Sequence, residues 1–327
     1  MSIAMLKRIV LFIAFMTSTT LAADGYLFVT FKGEQSPMSE QICFLTSRDG
    51  KQWTSLNAGQ PVLVSNVGEK GVRDPFLLRA REGGKFFLIA TDLSIHLNPN
   101  WGRAVTRGSK SIVVWESSDL VKWSQPRLVK VAADDAGCTW APEAVWDDQK
   151  KAYLVFWASK TASDGFKKHR IWGAHTSDFV SFDAPFVYID KPNDVIDTDI
   201  VLENGKYYRF SKDEKFKAIT AETSEKLEGP WVALRNFSLA KMQGYEGPAC
   251  YRLTEAMAPK PGTWCLLLDH YARGQGYKPF VTTDLGSGKF DPAPDFNFPF
   301  KPRHGSVLPL MAEELSRLEA AYGKAAK

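Results

Sequence analysis

The chain has no Cys-x-x-Cys pair and no grouping of histidine with cysteine among its 327 residues, which excludes a zinc site of the structural type. It has no basic run: Lys167, Lys168 and Arg170 form the densest group, and the net charge of +4 is spread over both signs. Nucleic acid and membrane surface are therefore not expected partners. The apolar run Ile9–Met16 is too short to cross a bilayer, which takes about 20 residues. No linker or break in composition divides the chain. What is present is apolar and aromatic: 44% hydrophobic residues, 13% aromatic, ten tryptophans. That composition is globular and can bury a large core.

Residues 1–22 read as a secretory signal. Lys7 and Arg8 precede the apolar run, and small residues lead up to Ala23. No cysteine follows the run, which argues against a lipid anchor. A single domain is expected over 23–327, in the periplasm or outside the cell. Export permits disulfides, and Cys43, Cys138, Cys250 and Cys265 allow three connectivities. Cys250 and Cys265 flank a Gly/Pro-rich turn and are the preferred pair; free buried thiols are the equal alternative.

Five ionisable residues each introduce a short apolar strand: Asp74 (VRDPFLL), Glu143 (WAPEAVW), Asp197 (IDTDIVL), Glu246 (YEGPACY) and His304 (RHGSVLPL). They recur at steps of about 50 to 70 residues, a period typical of propeller blades. A second strand follows in four units, rich in aromatic and aliphatic residues, as in GGKFFLIATD and QKKAYLVFWAS. Asn204-Gly205 before Lys206-Tyr207-Tyr208 is a hairpin signal. A third strand then ends in a Ser/Thr-Asp turn and an aromatic, as in SSDLVKW and TSDFVSF. The copy SRDGKQW lies near the N-terminus, whereas the strand that should open its unit lies at the C-terminus, in RHGSVLPL. The expected fold is all-β, a five-bladed β-propeller closed by pairing of its N- and C-terminal strands. A short amphipathic helix is expected over 312–322, with Leu315, Leu318 and Tyr322 on one face.

Inner strands line a central channel, so their first residues surround one cavity. A carboxylate there is costly unless it meets solvent, a partner or a substrate. Hydrolysis of a glycosidic bond with inversion takes a carboxylic acid and a carboxylate base roughly 6.5–9.5 Å apart, with a water between. Asp74 in VRDP, Asp197 in IDTDIVLENGKYY and Glu246 in YEGP resemble, in this order, the three acidic motifs of glycoside hydrolase family 43. Those enzymes are five-bladed propellers that act with inversion on arabinose-, xylose- and sometimes galactose-containing glycans. The resemblance spans about Gly25 to Leu310.

It implies that Asp74 is the general base, Glu246 the general acid, and Asp197 the group that orients Glu246 and raises its pKa. The family usually has Ile-Asp-Pro at the third motif. Here the run is Ile196-Asp197-Thr198-Asp199, so Asp199 competes with Asp197 for that role, the other being a sugar ligand. Glu143, where relatives often have Trp-Ala-Pro-Asp, is a candidate sugar contact or cavity-tuning group, and Trp140 a candidate stacking platform. His304 resembles the family's axial histidine, beside which a calcium or other ion sometimes lies. One histidine is no metal site by itself, so no required cofactor is expected and only a structural calcium near His304 is left open. Arg273 and Lys212 are candidate rim contacts. The long connection Thr91–Ser109, with His96, Trp101 and Arg103, is expected to shape the pocket.

The resemblance thus implies an exported, inverting, exo-acting and monomeric glycoside hydrolase, first of all an α-L-arabinofuranosidase. β-Xylosidase, exo-galactanase and a non-catalytic glycan-binding propeller are the alternatives. A retaining invertase-type enzyme shares the Arg73-Asp74-Pro75 run. Its Asn-Asp-Pro nucleophile strand and Glu-Cys acid are missing here.

Overall fold

The computed structural model describes residues 23–254, 262–293 and 295–323. The expected signal segment, 1–22, and most of the turn between Cys250 and Cys265 lie outside them. The first sheet contains β1 (Gly25–Thr30), β2 (Cys43–Ser47) and β3 (Thr54–Ser55). Four further sheets follow in order. They are β4 (Val72–Arg79), β5 (Phe86–Asp92), β6 (Ser111–Ser117) and β7 (Arg127–Lys130); then β8 (Trp140–Asp147), β9 (Ala152–Ser159), β10 (Arg170–Thr176) and β11 (Phe186–Ile189). Next come β12 (Val195–Glu203), β13 (Lys206–Asp213), β14 (Ala218–Ser224) and β15 (Val232–Ala233); then β16 (Glu246–Arg252), β17 (Trp264–Asp269), β18 (Tyr277–Thr282) and β19 (Asp291–Pro292). The last strand, β20 (Ser306–Leu310), pairs antiparallel with β1 and completes the first sheet. The protein is a five-bladed β-propeller, with inner strands β4, β8, β12, β16 and β20 in contact around the axis.

The mid-blade strands are apolar on both faces because each blade packs against two others. In β5, Leu88 joins the core toward the first blade, while Phe87 and Ile89 join the core toward the third. Five clusters of this kind fill the five gaps between blades. Alternation with period two is present, but both phases are buried, so these strands read as continuous hydrophobic runs.

The Ser/Thr-Asp repeat closes the third strand of a blade. Oδ1 of Asp119 accepts from Val121 N (2.9 Å) and Lys122 N (2.7 Å), and Asp49 and Asp178 make the same pair of bonds in their blades. Asn204 and Gly205 are both left-handed (φ 52° and 77°), as a tight hairpin between β12 and β13 requires. Helix α2 (Ala312–Tyr322) buries Leu315 and Leu318 against the closing blade, and Arg79 Nη2 donates to Glu314 Oε2 at 2.8 Å.

The cysteine pairing is corrected by the register. Cys265 lies opposite Tyr251, and Cys250 opposite Leu266, so the two thiols project from opposite faces of their blade. All four cysteines are free. Burial pushes the thiols of Cys138 and Cys265 up to about 12, which leaves them inert.

Candidate active site

Four inner strands begin with the same irregularity. The register with the second strand slips between Arg73 and Phe76, Trp140 and Glu143, Ile196 and Thr198, and Glu246 and Ala249. Each slip holds a left-handed residue: Asp74 (φ 49°), Ala141 (47°), Asp197 (48°) and Gly247 (55°). Such bulges re-aim side chains next to functional sites. The bulge also shows that the five ionisable residues are not equivalent. Asp74 and Asp197 are the bulge residues themselves, Glu246 precedes one, Glu143 lies two beyond one, and His304 precedes β20. Depth in the funnel follows this offset. The side chains of Asp74 and Glu246 keep 16% and 19% of their surface exposed, whereas Glu143 and His304 keep 6% each.

His304 is the hub. Its Nδ1 lies 3.4 Å from Asp74 Oδ1 and 4.0 Å from Asp197 Oδ1, and its Nε2 lies 4.0 Å from Glu143 Oε1. Burial disfavours the charged ring, but contact with Asp74 and the charge of Asp197 outweigh it and raise the imidazole to about 9. Burial likewise pushes Asp74 up, and the hydrogen bond and charge of His304, with Arg73 and Thr91, hold it below the ordinary carboxylate range. Thr91 Oγ1 donates to Asp74 Oδ2 at 2.8 Å and accepts from Ala141 N at 2.8 Å, tying the second blade to the third. Asp74 is thus a fixed, ionised carboxylate.

Asp197 has the opposite character. Burial raises it to about 7; His304 opposes the rise, and the charge of Glu246 adds to it. Its Oδ2 accepts from Gly247 N at 3.1 Å, which brings it beside Glu246. Glu246 is held through both oxygens, by Lys212 Nζ at 2.7 Å and Arg303 Nη2 at 3.0 Å. Arg303 Nε in turn donates to Asp269 Oδ2 at 2.6 Å. Asp269 is fully buried, with no donor on Oδ1, and burial pushes it up to about 6.

Asp199 and Glu143 lie deeper and hydrogen-bond to each other. Arg303 and Asp269 were not read from the sequence. Arg303 sits next to His304, and Asp269 closes an apolar strand, the same kind of signal that marked the inner strands. Lys212, read as a rim residue, is 3% exposed and directly bonded to Glu246. Arg273 is exposed on the turn Tyr271–Arg273, whose Tyr271 ring covers Lys212 Nζ at 4.2 Å. Trp140 is half-buried, edge-on to Trp101 with ring centroids 6.0 Å apart and tilted against His169 at 5.3 Å.

The long connection holds helix α1 (Trp101–Thr106). It is fixed by Arg103, which donates to both oxygens of Glu69 at 2.6 and 2.8 Å, and by buried Glu40, which accepts from Ser94 Oγ and the amides of Ile95 and His96. Trp101 is left 46% exposed, with the Arg73 guanidinium over its ring at 5.3 Å.

The residues around His304 do not fit a calcium ion. A calcium ion takes six to eight oxygen ligands, whereas Asp74, Asp197 and Glu143 each turn an oxygen toward the His304 ring, at 3.4, 4.0 and 4.0 Å. Among the described residues no group of three or more His, Cys, Asp or Glu side chains is arranged for a metal.

An acid-lined funnel in a five-bladed propeller agrees with what the chain is similar to. Residues 22–316 match the family model described as "Probable glycosyl hydrolase domain", which is related to family 43. An α-L-arabinofuranosidase of Bifidobacterium longum subsp. longum is 31% identical over 87% of this chain. The chain spans only 31% of that relative's length. Among solved structures, the Bacteroides ovatus xyloglucan PUL GH43B protein superposes with a TM-score of 0.53 at 16% identity, covering 86% of this chain and 57% of its own. An exo-β-1,3-galactanase from Phanerochaete chrysosporium, with galactose bound, superposes with a TM-score of 0.53 at 12% identity, covering 82% and 64%. These two likenesses concern the fold. With the family model matched from end to end of the propeller, this chain belongs to the glycoside hydrolases of the family 43 group.

Proposed function

We propose that the protein is an exported, inverting, exo-acting α-L-arabinofuranosidase. The observation that carries the reading is the division of labour among three carboxyl groups around one cavity. Asp74, held ionised by His304, is suited to take a proton from water. Asp197, beside Glu246, keeps its proton up to about 7, because burial and then the charge of Glu246 disfavour its ionised form. Glu246, the more open of the two, is placed to deliver a proton to the leaving oxygen. Lys212 and Arg303 fix its position. In this reading water attacks from the Asp74 side while the bond breaks toward Glu246, which inverts the anomeric centre.

The arabinofuranosidase assignment rests on the 31% identical relative. Exo action is supported by the anchored connection bearing Trp101, whose ring lies under the guanidinium of Arg73, the residue before Asp74. Monomeric action is part of the same proposal. Nitrophenyl α-L-arabinofuranoside, β-D-xyloside and β-D-galactoside distinguish the sugars. Release from the arabinofuranoside is expected to be fastest, and NMR of the first-formed anomer is expected to show inversion. Retention, or no release from any of the three, contradicts the reading. Export is tested separately by N-terminal sequencing of the mature protein, expected to begin near Ala23.

A further inference from the structure

Glu143 and Asp199 occupy equivalent places in adjacent blades, each two residues beyond the left-handed residue of its strand. Both are buried, at 4% and 6% exposure, and their carboxyl groups hydrogen-bond to one another. An ionised carboxyl group only accepts hydrogen bonds, so two of them can bond only through a proton. The donors nearby locate that proton. Asp199 Oδ2 accepts from Cys250 N of the fifth blade at 2.7 Å, which stabilises a carboxylate. Glu143 Oε2 is buried with no donor. An ionised Glu143 would leave that oxygen unsatisfied; a protonated one makes it whole, as the donor toward Asp199.

We propose that Glu143 is a buried neutral acid sharing one proton with Asp199, and that this proton and the His304 imidazolium stand where the family resemblance left a structural calcium open. Above the Asp199 value near 7 the pair carries a single negative charge, and its Glu143 faces His304 at Nε2, while Asp74 and Asp197 face the ring at Nδ1. Tyr277 of the fifth blade donates its hydroxyl to Gly247 O at 2.7 Å and accepts from Gly305 N, next to His304 in the chain, at 3.0 Å. Held between negative groups at both ends, His304 stays charged, and charged His304 keeps Asp74 ionised. Glu143 and Asp199 are therefore positioning residues that act through His304. That role rests on Asp74 being the base; the shared proton does not.

The test reads protons and not hydrolysis, so its failure is separate from failure of the hydrolase reading. Infrared spectra are recorded at pH 8, above the values near 7 of Asp197 and Asp199 and near 6 of Asp269. The wild-type-minus-Glu143→Gln spectrum is expected to show the deuterium-sensitive carbonyl band of one protonated carboxyl group. The His304 titration, followed by NMR, is expected to move toward acid by about one unit or more in Asp199→Asn, which removes a charge, and by less than about 0.3 in Glu143→Gln, which does not. A spectrum without the band overturns the proposal. So does a Glu143→Gln shift as large as that of Asp199→Asn. Thermal melts of the wild type with calcium and with a chelator serve where a variant fails to fold. Equal melting is expected, and stabilisation by calcium would mean that an ionised Glu143 is its ligand.

Discussion

Asp74 and His304 shift away from their ordinary values in opposite directions, and stability should follow both. The Asp74 carboxylate, lowered on folding, contributes stability that is present above about pH 3.9 and lost as pH falls through its folded value. His304, raised to about 9, contributes stability that is full below about pH 6.5 and lost as pH rises through 9. Asp197 and Asp199, both raised to about 7, add a decline between about pH 4 and 7, because the folded state holds their protons longer. Melting temperature measured against pH should therefore fall on the alkaline side, and His304→Gln should flatten the limb between about 6.5 and 9.

Activity should follow the same groups. Asp74→Asn and Glu246→Gln are each expected to lower kcat by about 10²–10⁴-fold, and kcat/KM of the wild type should fall as pH rises past the Asp197 value near 7. An activity plateau extending unchanged to pH 9 would sink the acid assignment.

The bulge at the head of four of the inner strands is the element that makes a site out of a repeat. In the fifth blade it needs glycine twice over: Gly247 has φ 55°, and a Cβ there would lie 2.6 Å from His304 Cγ. Gly247→Ala is expected to cost about 1–3 kcal/mol from backbone strain, with further loss as the His304 ring is displaced, measurable by denaturant unfolding. The α1 connection is the other functional element. Trp101 is held by Arg73 and Trp140, the residues just before Asp74 and Ala141, and remains 46% exposed. Trp101→Ala is expected to raise KM several-fold for an oligosaccharide while kcat stays within about twofold, since a platform binds ground and transition states alike.

At the scale of the whole molecule, the ring is closed by β20 pairing with β1 through the register Gly25↔Leu310 to Val29↔Ser306. His304 and Arg303 enter the funnel on the segment leading into this strand, so closure and site assembly are one event. A chain ending after Lys301 loses the axial histidine, an inner strand and the core residues Leu308, Leu310, Leu315 and Leu318. It is expected to show no cooperative unfolding transition by circular dichroism.

Much of this was legible in order along the chain. The five-unit period, the closing of the first blade by the last strand, the Ser/Thr-Asp turns and the α2 face were readable, because each depends on residues close in sequence or on a repeated pattern. So was the set Asp74, Asp197, Glu246 and His304, marked by where each sits relative to an apolar strand. Three things depended on tertiary structure. The bulges set different depths for residues that look equivalent in the repeat, which separates Asp74 from Glu143. The partners Arg303, Asp269 and Thr91 reach the site across blades or across a sheet, a proximity that no local pattern encodes. The charge of each acid was also decided there, because desolvation and neighbouring charges, not residue type, determine which carboxyl group keeps its proton.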